Sequence, residues 1–163
     1  MNALEDVKQF HKLFDHPVLE TPTIPSAKRV ELRINLLQEE LKELKIAAEA
    51  GDIVEVADAL ADIQYVLAGA IHEFGLGNLF PKVFAEVQRS NMSKACETIE
   101  QAKVTAEFHS EKNGPCRYFS KEVYDFDTKG YKEVYIVVRD SDDKTMKSVG
   151  YSPADLSFIK GGL

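Results

Sequence analysis

Tryptophan is absent from this chain, and cysteine occurs only twice, at Cys96 and Cys116. Two cysteines do not make the disulfide framework of a small secreted domain, so they read as ordinary thiols of a reducing compartment. Neither lies among other residues at metal-ligand spacing. No stretch approaches the ~18 uninterrupted apolar residues of a membrane span. Met1 to Gln9 holds Glu5 and Asp6 and no apolar run, so no signal peptide is expected there and the expected setting is cytoplasmic. Positive charge is also scarce. Lys and Arg number 20 against 27 Asp and Glu, for a net charge of -7 and a pI of about 5.1. Such a chain has no general attraction for nucleic acid or anionic membrane. A small polyanionic substrate would need local cations, from side chains or from metal.

Apolar residues are not scarce. At 44 % of 163 residues they suffice for a real core, and the length suits one domain with a small appendage. Leu4, Val7, Phe10, Leu13 and Phe14 recur at helical spacing and predict a helix over 3–14. His11 and His16, near its end, read as structural or solvated. Pro17, Pro22 and Pro25 then forbid a regular helix. Ser26 is placed to cap a helix over 27–49 that stops at Gly51. Asp52 caps the next helix, which runs to about Phe74, with Glu55 at the reciprocal position of a capping box. Pro81 suits the first turn of a helix over 80–95, and 97–111 has helical composition with a weak pattern. The tail differs. Glu133 to Val138 reads as a strand, Asp142-Asp143-Lys144 as a turn, 145–149 as a partner strand, and Arg117 to Phe126 as a third. The expected architecture is an all-α antiparallel bundle over 1–96 with a C-terminal extension, 97–163, that adds a small β-hairpin.

Spacing the residues of the helix over 27–49 at about 100° puts Leu37, Leu41, Leu44 and Ala48 on one side, with Leu32, Leu36 and Ala47 extending the arc. Glu40 falls inside that arc, between Ala47 and Arg33. Glu43 falls between Leu32 and Leu36, and Glu39 sits at the edge beside Leu32. The following helix is apolar nearly all round from Val56 to Ile71, the pattern of a helix at the middle of a bundle or an oligomer. Asp58 and Asp62 interrupt it on one face, with Glu55 and Gly69 on the same stripe. Buried carboxylates are costly to keep charged, and crowding like charges raises that cost. A divalent cation resolves both. An all-oxygen donor set selects a hard metal, Mg²⁺ first and Mn²⁺ as substitute. The plainer reading is a solvated Glu-rich helix, with Glu55 serving only the cap. Against it stands the short turn at Gly51, which makes the two carboxylate-bearing faces antiparallel neighbours. Further on, Arg89, Asn91 and Lys94 gather near a helix end. They serve either substrate phosphates or the helix dipole.

These residues resemble the MazG-like all-alpha NTP pyrophosphatase superfamily, which includes phosphoribosyl-ATP pyrophosphohydrolase and the dimeric dUTPases. The superfamily motif is Glu-Glu-x-x-Glu on one helix and Glu-x-x-Asp on the next. Glu39-Glu40-Leu-Lys-Glu43 resembles the first half, and Asp62-Ile-Gln-Tyr65 resembles the sequence that follows the motif aspartate. Ala59 stands where that registration expects glutamate, with Asp58 beside it to take the role. The other registration puts Glu55-Val-Ala-Asp58 on the motif. Asp62 with Asp58 is preferred because Tyr65 and Gly69 then also find their places. Arg89-Ser-Asn-Met-Ser-Lys94 resembles a third segment, whose Asn and Lys hold substrate phosphates. Phe10-His11, the stretch Arg29 to Arg33 and the tail Gly150 to Leu156 resemble the Cof-like, or dimeric dUTPase-like, branch. The resemblance covers 4–96 and, more weakly, 145–157, so the stretch between reads as an insertion.

The resemblance implies cleavage of an NTP or dNTP between its α and β phosphates, dUTP or dCTP being favoured. It implies Mg²⁺ on Glu40, Glu43, Asp58 and Asp62, and Glu39 or Glu40 as the base for water. Lys94 and Arg89 would offset charge on the pyrophosphate, with Tyr65 and Asn91 near the base. It further implies a homodimer or homotetramer. The rival is a noncatalytic oligomerisation or regulatory module. A third reading, a phosphatase acting on monophosphates, would release inorganic phosphate.

Overall fold

The computed structural model describes residues 2–125 and 128–162. Five α-helices come in the order α1 (Ala3–Leu13), α2 (Ala27–Ala50), α3 (Ile53–Glu73), α4 (Phe80–Met92) and α5 (Ile99–Asn113). An antiparallel hairpin of β1 (Cys116–Asp125) and β2 (Gly130–Arg139) follows, and a short 3-10 turn, Ser157–Gly162, comes near the end. The protein is thus mostly helical with a small two-stranded sheet. The chain divides into two compact units, Met1–Lys82 with Ser157–Leu163, and Val83–Leu156. No described helix is long and apolar enough to cross a membrane.

The first unit is built on a helical hairpin. α2 ends at Gly51, and Asp52 starts α3 by accepting hydrogen bonds from Val54 N (3.0 Å) and Glu55 N (3.2 Å). Ser26 does not act as expected. Its hydroxyl caps nothing, and its carbonyl accepts from Arg29 N and Val30 N instead. Ala47 O accepts from Asp52 N near the turn, and Arg29 and Arg33 reach Glu73 at the far end, so α2 and α3 run antiparallel over their whole length.

That far end is the tightest part of the unit. Glu73 is 1 % exposed. Arg29 Nε donates to Glu73 Oε2 at 2.9 Å, Arg33 Nε donates to Oε1 at 2.7 Å, and both guanidinium groups give a second contact through Nη2. Arg33 also donates to His11 Nε2 (3.1 Å), while His11 Nδ1 donates to Pro17 O (2.9 Å). His11 is therefore a neutral ring with its proton on Nδ1. A Cβ at position 69 would lie 2.9 Å from both Arg33 Nη1 and His11 Nε2, so Gly69 is what lets this network press onto α3. Past α3 the chain turns at Gly75, with φ of +67°, where a Cβ would come within 1.8 Å of Thr21 O. The proline-rich loop is tied down there, through Leu19 N to His72 O and Thr23 N to Phe74 O.

The second unit has its own core of Cys96, Ala102, Ala106, Val137 and Met146, with Cys116 and Tyr135 against it. Both thiols are free. Thr98 caps α5 by accepting from Gln101 N. The hairpin differs from the expected one. β2 pairs along its length with β1, from Cys116↔Arg139 to Asp125↔Gly130, and 145–149 contributes only the bridge Val138↔Thr145. Asp142 and Asp143 explain the short return. They turn the chain tightly, held by Arg139 and Arg117, so that Lys144 and Met146 meet β2 for a residue or two. Phe126, the expected end of the preceding strand, lies outside the described residues.

Replacing Glu73 with Ala strands two guanidinium groups, one of them buried, and is expected to cost about 3–5 kcal/mol in urea unfolding. Burial, more than the neighbouring Arg33 cation, lowers the His11 pKa below 6.5, although its bond to Pro17 opposes this. Below pH 6.5 the unfolded chain therefore takes up this proton more readily than the folded one. Stability present above 6.5 is lost as pH falls toward the folded value. His11→Gln should flatten that limb of the pH profile. An unchanged slope would refute the assignment.

Candidate active site

Along the α2–α3 seam, charge is distributed unevenly. At the Glu73 end Arg29 and Arg33 are both paired with Glu73. Toward the Gly51 end the seam carries only acid, with Glu39, Glu40 and Glu43 on α2 and Glu55, Asp58 and Asp62 on α3. The four carboxylates expected to bind metal and the expected base fall in one negative field. It is recorded at Glu40, the half-buried member, whose carboxyl is raised above 4.5 by burial first and then by Glu43, Asp62, Glu39 and Asp58. The other four are exposed. This corrects the expectation that the aspartates of α3 lie buried. The first half of α3 leaves Ile53, Val54 and Leu60 exposed as well.

Beside Glu40 the seam opens into a cleft of ≈ 400 Å³ whose apolar lining includes Ala47 and Ala59 and whose acidic members are Glu43, Asp52, Glu55 and Asp58. Glu55 therefore stands next to two of the expected ligands. It is not consumed by a capping box, because Asp52 N donates to Ala47 O. Asp62 faces Glu40 and does not line the cleft. Both registrations of the second motif thus place a carboxylate at the seam.

Among the described residues, no three His, Cys, Asp or Glu side chains are gathered closely enough to hold a metal ion. The donor set nevertheless fits a hard cation. It is all carboxylate oxygen, its negative charge is uncompensated, and its exposed members can swing without moving the helices.

Tyr65, one turn beyond Asp62, stands at 82° to the Phe10 ring with centroids 5.5 Å apart. The expected cationic residues belong to the second unit. Arg89 is engaged there, donating twice to Glu86 at 2.8 Å and once to Pro153 O at 3.0 Å. Arg89 and the backbone N–H of Asp155 hold the Glu86 carboxyl down to about 2. Asn91 is exposed and Lys94 half-buried, and no ion pair is seen for Lys94 among the described residues. The buried Arg29–Arg33–Glu73 group was not foreseen as a unit. Its signal was available, since Glu73 continues the stripe of Asp58, Asp62 and Gly69, and Arg29 and Arg33 lie one turn apart.

Residues 7–91 match the model of the phosphoribosyl-ATP pyrophosphohydrolase family. The match takes in the acidic seam, the buried clamp and α4 nearly to its end. The chain belongs to this family. As a phosphoribosyl-ATP pyrophosphohydrolase family member it is also a member of the MazG-like all-alpha NTP pyrophosphatase superfamily, as the Glu39-Glu40-Leu-Lys-Glu43 motif led one to expect. The family is one of pyrophosphohydrolases acting on nucleotides, hydrolases of acid anhydride bonds. No curated protein matches the chain.

In metal-free protein, Glu40→Gln should raise the thermal midpoint at pH 7. A raised folded pKa contributes stability below 4.5 that is lost as pH rises through the folded value. The gain should accordingly vanish below pH 4.5. A lowered midpoint at pH 7 would contradict the shared field.

Proposed function

We propose that the protein is a Mg²⁺-dependent nucleoside triphosphate pyrophosphohydrolase, releasing a nucleoside monophosphate and pyrophosphate. The observation that carries this reading is the convergence of Glu39, Glu43, Asp58 and Asp62 on Glu40, a negative field that a chain of this family has reason to keep only for a cation. Glu40, Glu43, Asp58 and Asp62, with Glu55 beside them, would hold Mg²⁺, which would supply charge neutralisation for the triphosphate and polarisation of the attacked phosphorus.

The carboxylates do the rest. Glu39, exposed at the edge of the field, or Glu40 accepts the proton of the attacking water. The α–β anhydride bond breaks, and its electron pair leaves with pyrophosphate. The resemblance assigns Lys94, Arg89 and Asn91 to the substrate phosphates. Lys94 is the freer cation, because Arg89 is held by Glu86 and Pro153. The same resemblance favours dUTP or dCTP, and the N-terminal composition favours a cytoplasmic setting.

The working form is a homodimer or homotetramer. Leu41, Ile46, Ile53, Val54, Leu60 and Leu67 are exposed on α2 and α3, and a second copy would cover them. Light scattering should report at least a dimer at micromolar concentration. A clean monomer would count against this assembly. A noncatalytic module would assemble through the same faces but without metal dependence.

A panel of NTPs and dNTPs with Mg²⁺ should give monophosphate and pyrophosphate from at least one member. Inorganic phosphate as sole product would exclude the cleavage proposed. Within the same assay, Asp62→Asn and Glu55→Gln compare the two registrations of the second motif. A dead Asp62→Asn beside an active Glu55→Gln supports Asp58 with Asp62, and the reverse supports Glu55 with Asp58.

A further inference from the structure

The hairpin of the second unit is paired on one side only. β2 has neighbours on both edges. Away from β1 it exchanges hydrogen bonds with Cys96 at Tyr135, 2.8 Å each way, and Val137 O accepts from Met146 N at 2.9 Å. Those bonds fix the phase of the ladder. Tyr135 turns its backbone groups away from β1, so Ser120, opposite it, turns its own N–H and C=O away from β2. Tyr118 and Glu122, two residues to either side, do the same. Among the described residues, none of these three N–H groups has a backbone partner. Arg117 to Glu122 are all exposed, so β1 is open beside that edge on both faces.

Edge strands are usually blunted by a proline, a bulge or repeated charge. β1 has no proline, and its pairing with β2 from Cys116 to Asp125 runs without a bulge. Its charges are mixed in sign. Arg117 is already paired with Asp140 and Asp143, which leaves Lys121 and Glu122 to meet whatever adds to the edge.

A second β1 answers to that pattern. Two identical antiparallel strands related by a two-fold axis normal to the sheet are centred on a residue, because each face maps onto itself. Centring on Lys121 sets that lysine against itself, and centring on Glu122 opposes two glutamates. Centring on Phe119 sets Arg117 against Lys121. Centring on Ser120 opposes no like charges. It brings Phe119 of one copy to Lys121 of the other, Tyr118 to Glu122, and Arg117 to Val123. The outward N–H groups of Tyr118, Ser120 and Glu122 then all meet carbonyl acceptors.

We propose that the β1 edge is an interface between two copies of this chain, antiparallel and centred on Ser120, which joins their two-stranded sheets into one. A lone hairpin gains from added strands. This surface is distinct from the exposed faces of α2 and α3, and it does not depend on the pyrophosphohydrolase reading.

Mild oxidation tests the register. Phe119→Cys and Lys121→Cys are made separately in a Cys116→Ser background, which leaves only the buried Cys96 beside the introduced thiol. Directly opposed residues at a position without hydrogen bonds stand within disulfide reach. A mixture of the two variants should therefore give a covalent dimer on a nonreducing gel, and neither variant alone should. As much covalent dimer from one variant alone as from the mixture would overturn the register. Sedimentation tests the pairing. Ser120→Pro removes an outward N–H and leaves every β1–β2 bond in place. It should halve the mass of the wild-type assembly at micromolar concentration, with an unchanged circular dichroism spectrum. The crosslink decides if that variant unfolds. An unchanged mass of the folded variant, or a mixture that fails to crosslink, would overturn the pairing and leave the edge to a strand of another protein.

Discussion

A carboxylate removed from water must be neutralised or protonated, and Glu73 makes that demand on the first unit. Burial pushes its pKa up, but the hydrogen bonds from Arg29 and Arg33 outweigh this and hold it below 4.5, so it stays charged. Two guanidinium groups one turn apart on α2 grip one side chain on α3. Such a grip fixes both the rotation and the axial register of the two helices, which apolar contacts alone would leave freer to slide. The rest of the hairpin inherits that register. Glu40 faces Asp62 and Glu43 shares a cleft with Asp58 because Arg33 faces Glu73.

The two ends of one seam are therefore electrostatic opposites. The clamp spends its charges on each other and excludes water. The acidic end keeps an excess of one sign, in contact with solvent. A binding site for a charged ligand needs both conditions, a rigid frame and polar groups left without partners. The same contrast explains why Gly69 is fixed in place while the residues around Asp58 stand exposed.

Apolar periodicity and the prolines and glycines of the first three loops made α1 to α4 legible, whereas α5 was read from composition alone, because its pattern is weak. The nearness of Glu40 to Asp58 and Asp62 was legible from the short turn at Gly51, which makes α2 and α3 antiparallel neighbours. The clamp was harder to see. Arg29, Arg33 and Glu73 are ordinary helix-surface residues by composition, and only the antiparallel register brings a residue of one sequence region to partners 40 and 44 positions away. Glu55 was misjudged because a capping box is recognised by spacing, whereas its second bond depends on whether the Asp52 N–H is free. The hairpin partner was misjudged because 145–149 has strand composition but is anchored by a tight acidic turn, and β1 offers ten residues of uninterrupted pairing. Exposure of the α3 aspartates could not be read at all, since an all-round apolar helix looks the same whether its own chain or another covers it.

Ser148 N donates to Lys94 O at 3.3 Å, and the tail beyond it returns to α4 through Tyr151 to Ser90 and Ser152 to Ser93. The chain thus departs and comes back at a single point, and residues 95–147 form a closed excursion carrying α5 and the hairpin. The family match stops at residue 91, just before that departure. A segment whose two ends are neighbours can lengthen, shrink or be exchanged without pulling on the framework from which it hangs.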